Sequence, residues 1–197
     1  MSQENWIRIA VFLAMLATFS ISGYFRSKAD KSDKKVSNEE EDQPLMRIRN
    51  AGALMMYGSI LAFLIYPRLI AWGQIELPLG TRWGAVAVLY AMVPAFYWQL
   101  SSLNNNITRT VAIRQEHKLI TSGPYRYIRH PLYTFGFIFI MTISVSAASW
   151  WIFGLGLVTW VPLALRTPLE EQKLIDAFGD EYREYMQRTG RYIPKIF

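Results

Sequence analysis

Residues 132–165 read LYTFGFIFIMTISVSAASWWIFGLGLVTWVPLAL, 34 consecutive positions without a charged side chain. As one straight helix this run would extend about 51 Å at 1.5 Å per residue, well beyond a hydrocarbon core roughly 30 Å thick. Two spans of roughly 25 Å each, turning near Ser149-Trp150, fit the bilayer instead. The stretch is therefore expected to be a transmembrane hairpin. Before it stand Arg126, Arg129 and His130 among tyrosines, and after it stand Arg166, Glu170 and Glu171. A chain that doubles back through lipid brings these two groups to the same face.

Outward from the hairpin, three more apolar blocks are long enough to span: Trp6–Phe25, Ala51–Trp72 and Trp83–Leu100. The expected fold is all-α, a polytopic membrane protein of about five transmembrane helices. The first block has Glu4 where a secretory signal carries Lys or Arg, so it is read as a retained span. Hydrophobic residues make up 52% of the 197, and charge is gathered into a few segments, as in small polytopic proteins. With no cysteine, disulfides, thiolate metal sites and cysteine nucleophiles are excluded. His117 and His130 alone make a weak ligand set, so no metal is expected. A net charge of +6 would suit nucleic acid, but the basic residues flank apolar spans, where anionic headgroups account for them. No nucleic-acid partner is expected, and no G-x-G-x-x-G after a strand signals a Rossmann domain.

The basic residues also orient the chain. Seven lie between Arg26 and Arg49, five between Ser101 and Pro131, and six from Arg166 onward, leaving only Arg8, Arg68 and Arg82 elsewhere. Five spans put the first three groups on one side, so the N-terminus is expected outside, with the loop before the hairpin and the C-terminus in the cytoplasm. Residues 1–100 then form three spans with a charged linker at 26–49, solvated over Ser27–Gln43. Residues 101–197 hold the loop before the hairpin, the hairpin itself and a C-terminal cytoplasmic helix. Trp72, Trp83, Trp150 and Trp151 fall near span ends, as interfacial anchors do. Gly154, Gly156 and Ala164 are expected to let helices approach closely. Thr167-Pro168-Leu169-Glu170 reads as a new helix start, with Thr167 as N-cap and Pro168 in the first turn. Leu174, Ile175, Phe178, Tyr182, Tyr185 and Met186 follow at helical spacing as an amphipathic interfacial helix, with Gly179-Asp180 positioned to break it.

The loop from Arg109 to Tyr133 carries both histidines together with Tyr125, Arg126, Tyr127, Arg129 and Tyr133. At the His130-Pro131 helix start, free N–H groups and the helix dipole favour an anion, and Arg129 and His130 strengthen that attraction. Arg166 and Glu170, four apart, share one helix face. Glu171 has no capping duty, and ionisable groups at the bilayer boundary are more often functional than surface ones.

His117-Lys118-Leu119-Ile120, the stretch from Gly123-Pro124-Tyr125 through Arg129-His130-Pro131-Leu132-Tyr133, and Glu170-Glu171 after an apolar hairpin together resemble the isoprenylcysteine carboxyl methyltransferase family. The tail Phe178-Gly179-Asp180-Glu181-Tyr182, with Tyr185, Thr189, Gly190, Arg191 and Pro194, is similar to that family's ending. The resemblance covers roughly residues 101–197. Leu103-Asn104-Asn105-Asn106-Ile107-Thr108 departs from the Leu-Gly-x-x-Trp-Ser-like element of many members, which bears on the acceptor more than on the cofactor. The resemblance implies an integral-membrane enzyme using S-adenosylmethionine, with His117, Leu119 (through its backbone), Tyr125, His130, Tyr133 and Glu171 in the cofactor pocket.

Tyrosine rings suit a sulfonium by cation–π attraction, a glutamate suits an ammonium, and the basic helix start, Arg129 included, suits a carboxylate. If the methyl acceptor is a carboxylate, it is ionised at neutral pH. Arg166 then clamps it, and Glu170 orients Arg166. If it is an amine, Glu170 is the candidate base. The expected acceptor is lipophilic, an isoprenylcysteine-type carboxylate, and membrane lipids are the other partners. A phospholipid or other small-molecule methyltransferase stays open, as does a non-catalytic adaptor or transporter subunit. Which glutamate meets the cofactor, and the oligomeric state, stay open too.

Overall fold

A computed structural model of the chain describes residues 2–30, 43–103 and 119–195. These form α1 (Gln3–Asp30), α2 (Gln43–Ile65), α3 (Leu79–Leu103), α4 (Pro131–Ser146), α5 (Trp150–Phe178) and α6 (Asp180–Arg188). Two short 3₁₀ segments, Pro67–Gly73 and Gly123–Arg126, lie between them. Four helices, α1, α2, α3 and α5, are long and apolar enough to cross a bilayer; α4 has 16 residues and is apolar but shorter. At 1.5 Å per residue α4 reaches about 24 Å, within the accommodation a bilayer allows. The chain is an integral, multi-pass membrane protein with the all-α architecture expected.

The hairpin turns where the apolar run requires it. Helix α4 ends at Ser146, and Ser149 caps α5 by accepting the N–H of Ile152 at 3.3 Å. Between them Ala148 adopts φ +50°, a left-handed conformation that costs a non-glycine residue roughly 1–2 kcal/mol. The turn is held from outside, because the Ala148 carbonyl accepts the N–H of Ile75 at 2.8 Å. The two helices close tightly at Gly156, where a Cβ would collide with Met141 and Ile140. Gly154, expected to act similarly, has no neighbour within 4 Å. Helix α5 also packs on α2 across Gly52, while α3 bridges α1 and α4. The core between them contains Ile7, Phe63, Leu89, Phe139, Ile143 and Ile152. Leu54, Ile65 and Leu165 are among the exposed apolar residues, as lipid-facing positions should be.

Three boundaries differ from the sequence reading. The second span is α2, Gln43–Ile65, rather than Ala51–Trp72. Pro67 disfavours helical geometry at Tyr66, whose φ and ψ are −138° and 74°, so the following apolar residues form a separate 3₁₀ segment. Helix α5 runs unbroken through Thr167 and Pro168, so Thr167 is not an N-cap. Its hydroxyl instead donates to the Leu163 carbonyl at 2.9 Å within the helix. The break comes at Gly179, φ +57°, which separates Phe178 on α5 from buried Tyr182 and Tyr185 on α6. Helix α1 continues to Asp30 and α2 starts at Gln43, so most of the expected 26–49 linker is either helix or lies outside the described residues.

Two arginines remote from the basic segments have partners. Arg8 donates to the carbonyls of Leu64 (2.5 Å) and Ile65 (3.4 Å), filling acceptors exposed where α2 ends. Arg82 grips Glu4 bidentately at 2.7 and 3.0 Å and donates to the Ser146 carbonyl at 2.8 Å. That knot joins the starts of α1 and α3 to the end of α4. These three ends share one side, as alternating spans require. Trp72, Trp150 and Trp151 cluster beside the hairpin turn, with ring centroids 5.0–6.1 Å apart. A double-mutant cycle on Glu4→Gln and Arg82→Gln should give a coupling of about 0.5–3 kcal/mol in denaturation of the micelle-bound protein. Additive losses would show that the pair does not hold these ends.

Candidate functional site

The mouth opposite that turn gathers the charged groups flanking the hairpin. Pro131 occupies the first turn of α4, where its missing N–H costs nothing, and fixes His130 as the preceding cap residue. The same stretch pairs with the C-terminal tail. The N–H groups of Arg129 and His130 donate to the carbonyls of Gly190 and Arg191 at 2.8 and 3.1 Å, and Gly190 N–H donates to Tyr127 at 3.1 Å. A Cβ at Gly190 would overlap the Ile193 carbonyl, so the close approach requires glycine.

Glu171 sits at the centre, 3% exposed. Its Oε1 accepts from Arg129 Nε at 2.7 Å, and its Oε2 from Arg191 Nε and Nη2 at 3.1 and 2.5 Å. Arg129 also donates to the carbonyls of Thr189 (2.5 Å) and Met186 (3.3 Å). A buried carboxylate is tolerated when two guanidinium groups and good hydrogen bonds compensate its desolvation. The Glu171 contact in turn raises the Arg191 guanidinium above its ordinary range.

Glu170, on the adjacent position, meets a different set. Tyr133 O–H donates to its Oε1 at 2.6 Å, and Arg166 Nε lies 3.3 Å from the same oxygen. The buried His130 ring stands between the two glutamates, its Nδ1 3.7 Å from Glu170 Oε2 and its Nε2 3.4 Å from Glu171 Oε1. The imidazole stacks on Tyr133 at 5.5 Å and 14°, and Tyr192 lies at 6.0 Å. The hairpin therefore brings Arg129, His130, Tyr133, Arg166, Glu170 and Glu171 together. Tyr125 lies beside them, its carbonyl accepting Tyr185 O–H at 2.6 Å. Burial pushes the Tyr125 hydroxyl up to about 12, so it stays protonated at neutral pH. Leu119 is half-buried in the loop before it. His117 lies outside the described residues.

Several contributors were not singled out from the sequence. Gln99, fully buried on α3, donates its Nε2 to Tyr125 Oη at 3.1 Å, and its Oε1 is left without a partner. It is the one amide side chain in an otherwise apolar block, which was a usable signal. Arg191 and Tyr192 reach the site through the tail, and no spacing rule relates them to the loop; Trp160, on α5, packs on Tyr192. Chemically, the mouth is dry, aromatic and doubly acidic, and its two carboxylates differ in engagement. Among the described residues no group of His, Asp and Glu is arranged to hold a metal ion.

Residues 85–176 match the family model of the isoprenylcysteine carboxyl methyltransferase (ICMT) family. A protein-S-isoprenylcysteine O-methyltransferase of Dictyostelium discoideum is 29% identical over 116 residues, covering 57% of this chain and 48% of that one. Methanethiol S-methyltransferase 1 of Bradyrhizobium diazoefficiens is 39% identical over 70 residues, covering 36% of this chain and 24% of that one. The chain thus spans about half the length of the first relative and a quarter of the second. A solved structure of the eukaryotic intramembrane Ras methyltransferase ICMT superposes with a TM-score of 0.66 at 21% identity. That likeness covers all of this chain and 69% of the other, and it shows a shared fold.

Replacing Glu171 by Ala should lower unfolding stability by about 3–5 kcal/mol, because Arg129 is left buried without its counter-charge. Chemical denaturation in detergent measures this. A midpoint equal to wild type would mean that the cluster does not form.

Proposed function

We propose that the chain, residues 85–176 of which match the isoprenylcysteine carboxyl methyltransferase family model, is a membrane enzyme of that family. In this reading it transfers a methyl group from S-adenosylmethionine to a lipophilic acceptor, an isoprenylcysteine-type carboxylate. The observation that carries this is the meeting of His130, Tyr133, Arg166 and Glu170 at one end of the hairpin. The residues present suit the donor. Tyr125 and Tyr133 supply ring faces, and Gln99 Oε1 is a buried polar atom without a hydrogen-bond partner beside Tyr125. When bound, S-adenosylmethionine supplies an electrophilic methyl group on a sulfonium.

The donor pocket is assigned to His117, the Leu119 backbone, Tyr125, His130, Tyr133 and the glutamate pair. Both oxygens of Glu171 are engaged by arginines, which supports Glu170 as the carboxylate nearer the donor and gives Arg129 and Glu171 a supporting place behind it. On the acceptor side, Arg166 holds the carboxylate and Glu170, 3.3 Å from Arg166 Nε, fixes the guanidinium. No general base is needed for an acceptor ionised at neutral pH. The protein supplies alignment and a water-poor site. Residues 1–100 act as scaffold and 101–197 as the catalytic half, with α3 spanning the boundary and carrying Gln99. The charge distribution supports an external N-terminus and a cytoplasmic site.

A second reading is a small thiol acceptor, favoured by the methanethiol S-methyltransferase likeness over 70 residues. In it Glu170 removes the thiol proton.

Calorimetric titration of the detergent-solubilised chain with S-adenosylhomocysteine should show one-site binding. Labelled methyl should pass to a prenylcysteine analogue in preference to methanethiol or phosphatidylethanolamine. Replacing Arg166 by Leu should cut kcat/KM for the carboxylate acceptor about ten- to hundredfold, the worth of a charge-assisted hydrogen bond. Transfer to methanethiol that survives this substitution would select the second reading, and no donor binding would reject both.

A further inference from the structure

His130 is held in an unusual way. Its backbone is fixed at the start of α4 and by the pairing of its N–H with Arg191. Its ring, however, makes no cap hydrogen bond; its Nδ1 stands 3.7 Å from Glu170 Oε2 and its Nε2 3.4 Å from Glu171 Oε1, both longer than a close hydrogen bond. The edge of the imidazole thus faces the glutamate pair, and two tyrosines flank the ring, Tyr133 from its own helix and Tyr192 from the tail.

Tyr192 is itself fixed on several sides. Its carbonyl accepts Thr134 Oγ1 at 2.9 Å, and its ring packs on Trp160 at 5.5 Å. Its hydroxyl donates to Thr167 Oγ1 at 2.6 Å, with the Ala164 carbonyl at 3.4 Å. That carbonyl is the one Pro168 cannot serve, since proline has no N–H for its i−4 partner. Residues 189–192 thus form a strap from the loop to the irregular turn of α5. Arg191 ties the strap down by occupying one oxygen of Glu171, whose other oxygen is held by Arg129.

We propose that Tyr192 and Arg191 are positioning residues for the transfer. Tyr192 wedges the His130 imidazole onto Tyr133, and Arg191 locks the strap through Glu171. This rests on the methyl-donor reading, because the oriented ring is the one that would meet the donor. The hydroxyl and the ring of Tyr192 have separable duties. The hydroxyl serves α5 and the ring serves His130.

Histidine Cε1–H NMR of the full chain in micelles, with His130→Gln to assign the signal, reads the ring directly without ligand. Wild type and Tyr192→Phe should show His130 displaced by the ring currents of its neighbours. In Tyr192→Ala and Arg191→Ala the signal should move toward the position of an exposed histidine. S-adenosylhomocysteine affinity should fall about ten- to hundredfold in the two alanine variants, the scale of a small misplacement, and stay near wild type in Tyr192→Phe. The proposal is overturned if the alanine variants keep the wild-type signal, if the signal moves while affinity does not, or if Tyr192→Phe behaves like Tyr192→Ala. Failure of wild type to bind would count against the donor reading, and the NMR comparison would still decide whether the strap holds the ring.

Discussion

The contact between Arg129 and Glu171, 2.7 Å across residues 42 apart in sequence, closes the hairpin on which the site depends. Lipid supplies no force that aligns one helix end with another, because tails are as apolar as the side chains they meet. Packing at Gly156 sets the distance between α4 and α5. The charged ends of the two helices are joined by the Arg129–Glu171 ion pair. Arg191 adds the tail to the same carboxylate, so loop, helix and C-terminus converge on one buried charge. Desolvation of that charge is costly, and its compensation by two arginines makes the arrangement all-or-none.

From this closure the division between the two glutamates follows. Glu171 is turned into the arginine cluster and Glu170, one position earlier, toward Tyr133 and Arg166, with His130 between them. Adjacent residues on a helix point about 100° apart, so the two carboxylates enter different sets of polar partners. The opposite end is closed by different means. There Arg82 joins Glu4 to the end of α4, and the strained Ala148 turn is pinned by Ile75. Each end of the bundle thus has one polar knot, and the membrane-embedded length between them is almost wholly apolar.

Much of this was legible in the sequence. The length of the uncharged 132–165 run fixed a hairpin, and its turn fell within three residues of Ser149-Trp150. The ionisable residues at its ends, Arg129, His130, Arg166, Glu170 and Glu171, are five of those that meet, and Tyr133 is the sixth. What hydropathy missed was governed by single residues. Pro67 moved the second span toward the N-terminus by forcing Tyr66 out of helical geometry. Pro168 looked like a helix start, but α5 passes through it because Tyr192 and Thr167 supply hydrogen bonds from outside the local sequence. For the same reason Arg191 and Tyr192 were invisible as site residues, since their partners Glu171 and Thr167 lie 20 and 25 positions away on another element. Arg8, Arg68 and Arg82 stood outside the charge rule, and two of the three proved to be paired within the bundle.

The most direct measurement is the separation of the two ends of the hairpin in a lipid bilayer. The chain has no native cysteine, so paired nitroxide labels at Tyr127→Cys and Gln172→Cys need no background substitutions. Both positions are exposed and lie beside, rather than within, the arginine–glutamate cluster. A narrow distribution of short distances, well under the roughly 30 Å of the hydrocarbon core, is what the account requires. Distances at or beyond that thickness would put the loop and the glutamates on opposite leaflets and contradict it.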